Sequence, residues 1–501
     1  MNKSVQEIIK GSILGILGRI LGGFINFFSL PILLTLYGKS NYGLVGVALS
    51  TNAFLQIMNM GVPTGAVKNF SEWVDARDFL SLTRGVQSNL IFFVCIATFN
   101  SLVLIYLGYN AGEFFTVEDP KTLGSLLYIV AGTSFLNWYF TNFQHILLAN
   151  EKMGLVSWAN TLNSFLNFFA VIVAYFLGLS VIEYFFIYSI GPLLVLAINV
   201  KSCVRLRYFK WAYLVPRFHR VEFKKIMGYS MGLLGVVITQ YAANQLQPII
   251  LSTFGRNGDI AVANYRILQN ITMLVSMMGT IFLQNFVPYI TKLNHRGDDG
   301  RKHGFVFMST KWLSVFIFFV CFFIFFNANI ILHVYVKDDG AGLGIWLSIW
   351  VLGLLFLNNQ GISSLLLSMG KFRALVITLC IGSALSIVIS ISLVNELGVG
   401  VTAIGFLLFK IIEAIFFFGY FLPKMADISP IKLFIETMWR PLTCSIVSVL
   451  IAKYVISFIE IDELTSVLVS GLLAFAIYIV AVFYVILSEK ERKMILSFRK
   501  S

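Results

Sequence analysis

Apolar residues in this chain come in long runs, each closed by a charged cluster or by Gly and Pro. About 20 apolar residues at helical rise match the hydrocarbon thickness of a bilayer. Each run therefore predicts a spanning helix. Fourteen runs occupy 11–36, 42–67, 86–108, 122–149, 154–177, 181–203, 226–254, 260–290, 305–334, 343–369, 374–395, 400–422, 441–459 and 464–487. Those at 42–67 and 260–290 are more polar than a lipid-facing helix requires. The expected fold is an all-α integral membrane bundle.

Comparing the runs exposes a repeat. Segment 31–39 (PILLTLYGK) aligns with 248–256 (PIILSTFGR) at a constant offset of 217. Leu147, Leu148 and Lys152 align with Leu366, Leu367 and Lys371 at an offset of 219, and Ser164 follows with Ser383. Val62-Pro63 and Val287-Pro288 end the second helix of each half in the same way. Matching segments start from the same membrane side, so the expected repeats are parallel, as in transporters whose substrate site lies between halves. The sequence then divides into an N-terminal lobe (1–203, helices 1–6), a basic linker (204–225), a C-terminal lobe (226–425, helices 7–12) and two extra helices with a basic tail (426–501). Pro31 and Pro248 fall at matched positions, where a missing N–H permits either a static bend or a pair of conformational hinges.

Composition narrows the class. Of 501 residues, 58% are hydrophobic and 15% aromatic, while 12% are charged. Soluble proteins carry about 25% charged residues, so an ordinary soluble enzyme, a disordered chain and a fibrous repeat are all excluded. A net charge of +13 would point to nucleic acid in a soluble protein. Here its distribution explains it. With the N-terminus placed inside, 29 of the 37 Lys and Arg fall on the cytoplasmic side, four outside (Lys39, Lys121, Arg256, Lys337) and four within spans (Arg19, Arg266, Lys410, Lys453). That asymmetry predicts both termini in the cytoplasm, and nucleic acid is not an expected partner. The first run has no small-residue cleavage site and reads as an uncleaved helix. None of the five cysteines lies in an outer loop and no CxxC pair occurs, which argues against disulfides and Cys-based metal sites. The linker carries Arg205, Arg207, Lys210, Arg217, Arg220, Lys224 and Lys225 against Glu222 alone. It reads as a topology anchor that attracts anionic lipid, or as a docking site for a cytoplasmic partner.

Polar residues inside spans are costly and usually face a cavity or a partner. Arg19, Arg266 and Lys410 are the candidate diphosphate contacts, for which Arg is especially suited; the competing reading is snorkelling to the membrane surface. Lys410 and Glu413, three apart on one helix, are expected neighbours. Amides recur at helical spacing: Asn52, Gln56 and Asn59; Asn160, Asn163 and Asn167; Gln240, Asn244 and Gln247. Asn26 shares a face with Arg19, and Asn270 one with Arg266. Such stripes either join helices or line a wet vestibule whose neutral donors and acceptors suit sugar hydroxyls. His145 and His333 are solitary, no phosphate-binding glycine motif occurs, and the outer loops are only about 4–13 residues long. An embedded enzyme is therefore disfavoured, and no cofactor is expected.

The chain resembles the polysaccharide-transporter branch of the multidrug/oligosaccharidyl-lipid/polysaccharide exporter superfamily. The likeness rests on 38–44 (GKSNYGL), 58–61 (MNMG), 148–152 (LANEK) and the two six-helix halves, over roughly residues 5–425. The family often has Asp where this chain has Asn59, so the resemblance carries no charge-dependent role to that position. It implies a two-lobed flippase of the bacterial cytoplasmic membrane, moving an undecaprenyl-diphosphate-linked oligosaccharide such as an O-antigen repeat. Coupling to H⁺ or Na⁺ stays open, and glycan polymerase and export machinery are candidate partners. A cation-coupled multidrug exporter of the same superfamily is the runner-up, and a glycan polymerase or transferase comes third.

Overall fold

In the computed structural model the described residues are 3–59, 61–295, 299–369, 372–489 and 491–493, and their regular structure is entirely helical. The helices are α1 (Lys3–Leu55), α2 (Val62–Asp75), α3 (Phe79–Tyr109), α4 (Pro120–Ala149), α5 (Met153–Leu177), α6 (Val181–Arg205), α7 (Arg220–Phe254) and α8 (Gly258–His295). There follow α9 (Asp299–Val336), α10 (Gly344–Leu354), α11 (Gln360–Ser368), α12 (Phe372–Leu397), α13 (Gly400–Phe416), α14 (Trp439–Ile456) and α15 (Glu463–Ala481). Ten helical segments among the described residues are long and apolar enough to cross a membrane. The expected spans at 122–149, 226–254 and 260–290 fall outside that set, and many side chains of the last two lie outside the described residues.

One local break falls where the apolar runs leave a gap, and a second departs from them. The expected spans at 11–36 and 42–67 are separate helical stretches of α1 that meet at a kink at Gly38, where φ is 72° and ψ 172°. Only glycine adopts that backbone without strain. The run at 42–67 is itself split. Its helix ends at Leu55, passes through a tighter turn over Gln56–Asn59, and restarts after Gly61 in the left-handed conformation. The Asn59 side chain accepts the Gly61 N–H at 3.0 Å and so holds the break. Asn52, Gln56 and Asn59 consequently do not share one continuous helical face.

Helix starts follow the expected capping chemistry. Asp78 accepts from Ser81 N, and Asp462 from Thr465 N. Asp119 accepts from Lys121 N and Thr122 N, with the Thr122 hydroxyl at 2.6 Å. These bonds, that from the Thr122 side chain foremost, hold the Asp119 carboxyl below the ordinary carboxylate value.

The chain divides into two compact units: Met1–Asn270 with Ser390–Val399, and Ile271–Ile389 with Gly400–Ser501. In the first, α3 packs on α4, α1 on α5, and α4 and α5 on α6. Helix α7, which the repeat places in the second half, packs on α1, α2 and α3. In the second unit α9 contacts α10 and α14, α10 contacts α13, and α14 pairs with α15. Helix α9 leaves helical geometry at Asn327, and the carbonyl of Phe326 accepts from Lys453 Nζ of α14 at 2.7 Å. Lys453 thus has a structural use, which fits its place on an extra helix.

The connection from α6 to α7 is not a free tether. It turns once over Trp211–Leu214 and is strapped to α3 and α4. Gln87 donates to the Ala212 carbonyl at 3.0 Å, Tyr139 to that of Leu214 at 2.8 Å, and the His219 N–H donates to Ser88 Oγ at 2.8 Å. Phe209 stacks on Phe143 at 5.7 Å. Beneath the strap lies a core of Phe70, Trp73, Phe93, Trp138, Phe143 and Tyr213. His145 is buried among these rings, 5.8 Å from that of Phe93, and serves packing.

Candidate functional site

Helix α8 opens with Gly258 and carries Arg266 two turns in. Its guanidinium reaches across to the second part of α1. Arg266 Nη2 donates to Ser50 Oγ at 2.7 Å and to the Gly46 carbonyl at 3.3 Å. Nη1 donates to Gln269 Oε1 at 3.1 Å, and Gln269 donates in turn to the Tyr265 hydroxyl at 3.1 Å. Nε is buried and makes no hydrogen bond. Among the described residues no carboxylate pairs with Arg266, so the charge is held by neutral dipoles alone. One turn further, Asn270 Nδ2 donates to the Asn26 carbonyl at 3.1 Å. The structure therefore brings Arg266, Asn270 and Asn26 together.

Tyrosines complete this region. The hydroxyls of Tyr42, Tyr188 and Tyr265 lie within electrostatic reach of Arg266. Tyr188 neighbours Tyr184 at 6.0 Å, and Tyr184 neighbours Tyr37 at 5.7 Å between ring centroids. A cation without an acid, beside amides and phenols, is suited to a phosphate with attached hydroxyl-rich groups. The sequence reading missed Ser50, Gln269 and the tyrosines. The i, i+4 spacing of Tyr184 and Tyr188 was an available signal; the partners of Arg266 on α1 were not, because they lie more than 200 residues away.

A second feature was missed altogether. At the start of α8, Asp259 is fully buried, and one of its oxygens accepts from the Ser40 hydroxyl while the other makes no hydrogen bond. Gly43 lies against the Asp259 backbone so closely that any Cβ would collide with its carbonyl. From the other side, Thr116 N donates to the Ser252 carbonyl at 2.7 Å, Thr116 Oγ1 donates to the same oxygen at 3.1 Å, and Gly258 N donates to the Thr116 carbonyl at 2.6 Å. The α7–α8 turn is thereby clamped between Thr116 and the Ser40–Gly43 turn.

Other sequence candidates lie elsewhere. Asn163 and Asn167 of α5 set their side-chain oxygens against Gly191 of α6, within the first unit's own packing, and Asn160 is exposed. Gln247 is buried and accepts from Ser390 at 2.9 Å. Lys410, in the second unit, is buried with Glu413, their charged atoms 2.6 Å apart, beside the ring of Phe409. Helices α1 and α7 run through Pro31 and Pro248; the break in α1 comes at Gly38 and α7 ends at Phe254. The side chains of Arg19, Gln240 and Asn244 lie outside the described residues.

A family profile described as "Polysaccharide biosynthesis protein" matches residues 8–294, more than half of the chain. The chain belongs to this family. Members of the polysaccharide biosynthesis protein family are membrane transporters of the multidrug/oligosaccharidyl-lipid/polysaccharide exporter superfamily, not enzymes. The fold agrees. It is similar to a structure described as lipid II flippase MurJ in an inward closed conformation, with a TM-score of 0.69 at 14% identity, covering 94% of this chain and 98% of that one. It is also similar to an inward-facing multidrug resistance MATE family transporter, with a TM-score of 0.67 at 13% identity, covering 81% and 95%. A transporter of the same superfamily from Pyrococcus furiosus matches with a TM-score of 0.55 at 14% identity, covering 84% and 95%. No curated protein matches this family member in sequence.

Proposed function

We propose that the protein is a flippase for a polyprenyl-diphosphate-linked oligosaccharide, an O-antigen, capsule or exopolysaccharide repeat unit, in the bacterial cytoplasmic membrane. The observation that carries this reading is Arg266, a guanidinium held by hydroxyl, amide and carbonyl groups with no acid beside it among the described residues. A diphosphate supplies the missing negative charge, and the neighbouring amides and tyrosines suit a glycan. The family description and the flippase-like fold support the same substrate class. The fuller architecture belongs to this reading: fourteen spans as two six-helix lobes (1–203 and 226–425) plus two extra helices, alternating access, and both termini in the cytoplasm. The charge asymmetry and the repeat support it. The buried, half-partnered Asp259 favours coupling to H⁺ or Na⁺. Glycan polymerase and export machinery are the partners such a step would serve.

The test is a deletion strain. Lipid-linked repeat units should accumulate on the cytoplasmic face, and the wild-type gene should clear them. Arg266→Ala should fail to do so while reaching the membrane in normal amount. Unchanged surface glycan with altered drug tolerance would move the assignment to a multidrug exporter.

A further inference from the structure

We infer that the strap between α6 and α7 is a docking surface for acidic phospholipid headgroups. All seven cations of segment 204–225 are exposed, whereas its sole acid, Glu222, is buried and faces Arg84. The outward field of the strap is therefore positive without internal compensation. Between the cations stand apolar side chains that a water-facing loop would not expose together: Trp211 at 78%, Val221 at 66% and Phe218 at 56%. They cannot fold inward, because Gln87, Ser88 and Tyr139 fix the strap's backbone from beneath. Trp211 is held edge-on against Phe209, 5.3 Å between ring centroids.

The depth of this surface selects the occupant. The strap joins the ends of two long helices, and Lys210 lies 5.4 Å from the ring of Phe79, an exposed residue in the first turn of α3. Phe79 and Leu80 are exposed apolar residues about two turns before the apolar run at 86–108, so the strap's aromatic side chains stand on the approach to that span, at headgroup depth. Aromatic residues beside cations at that depth match the headgroup boundary, with rings among the upper acyl carbons and cations on phosphate. The charge asymmetry places the strap on the cytoplasmic leaflet, where anionic lipid is concentrated. An acidic protein partner would meet the charge but not the shared depth with Phe79.

The full chain in nanodiscs tests this directly. Phosphatidylcholine discs with a minor fraction of phosphatidylglycerol would carry acyl bromines near the glycerol on only one lipid at a time. The difference in tryptophan quenching between wild type and Trp211→Phe isolates Trp211. Bromine on phosphatidylglycerol should quench it more than bromine on phosphatidylcholine, despite its lower abundance. Replacing Arg217, Arg220, Lys224 and Lys225 by Gln should reduce that preference at least about fivefold, since each surface cation near anionic lipid contributes at that level. Quenching itself should persist in the Gln variant. Equal quenching by both lipids in wild type would overturn the headgroup assignment, and no quenching of Trp211 by either would overturn membrane docking.

Discussion

Arg266 is worth most where its partners are weakest. Its hydrogen bonds run to neutral groups, leaving the charge available to an anion. Hydrogen bonds to charged groups contribute about 1.5–3 kcal/mol, so Arg266→Ala should slow glycan translocation about 10–100-fold. Arg266→Lys keeps the charge but loses the fork, and should fall between. Vesicle-based translocation rates at matched protein level check both; equal rates for all three would remove Arg266 from the site. Lys410 makes the contrasting case. It is buried against Glu413, so Lys410→Met strands an acid and should cost about 3–5 kcal/mol. Adding Glu413→Leu should restore most of the loss, read as thermal midpoints in detergent; no recovery would mean the two do not act as a pair. The Lys410–Glu413 contact could be read from spacing alone because helix geometry is local. The Arg266 contacts could not, since Gly46 and Ser50 reach α8 only through the tertiary fold. Asp259 escaped for another reason: four residues from a glycine turn, it reads as a solvated loop acid until the Ser40–Gly43 turn is seen to cover it.

At the scale of elements, the helical starts and one tertiary joint lend themselves to test. Asp119 caps α4, and removing such a cap costs about 1 kcal/mol. Its folded-state pKa is lowered, so its contribution is present above the ordinary carboxylate value near pH ~4 and fades as pH falls through the lowered one. Asp119→Ala should thus lower the unfolding midpoint at neutral pH and approach wild type under acid conditions, with Asp119→Asn near wild type at neutral pH and above it in acid, where the amide still caps. A deficit that persists unchanged in acid would remove charge from the explanation. The joint at Asp259 makes a stronger claim. Thr116→Cys with Ser252→Cys, on the other side of that joint and in a chain otherwise free of cysteine, brings two thiols within reach of a short bis-thiosulfonate. Bridging should abolish translocation, and reduction should return it to the unbridged rate. Transport at full rate while bridged would show that the joint stays closed throughout the cycle. Helix existence followed from hydrophobic runs, and so did the break at Gly38, which lies between two of them, but the break at Gly61 did not, because backbone dihedrals rather than hydropathy decide it.

For the molecule as a whole, the all-helical membrane class was legible from one quantity, the length of uncharged apolar runs, because a bilayer leaves the backbone few alternatives. The repeat is a pattern in the residues alone, carried by the matched segments 31–39 and 248–256, whose Gly38 and Gly255 both leave helical geometry. Its packing consequence was not legible there. Helix α7 carries the second repeat's sequence yet lies against α1, α2 and α3, held at its start by the strap and at its end by Thr116. The first compact unit also recruits Ser390–Val399 from far along the chain, with Ser390 donating to Gln247 and Val394 lying beside Gly255. That discontinuity bears on biogenesis. The insertion machinery delivers helices in order, so the first unit cannot finish assembling until Val399 has left the ribosome. Nascent chains arrested before Ser390 should remain protease-sensitive at the α7–α8 turn, and those arrested well beyond Val399 should not.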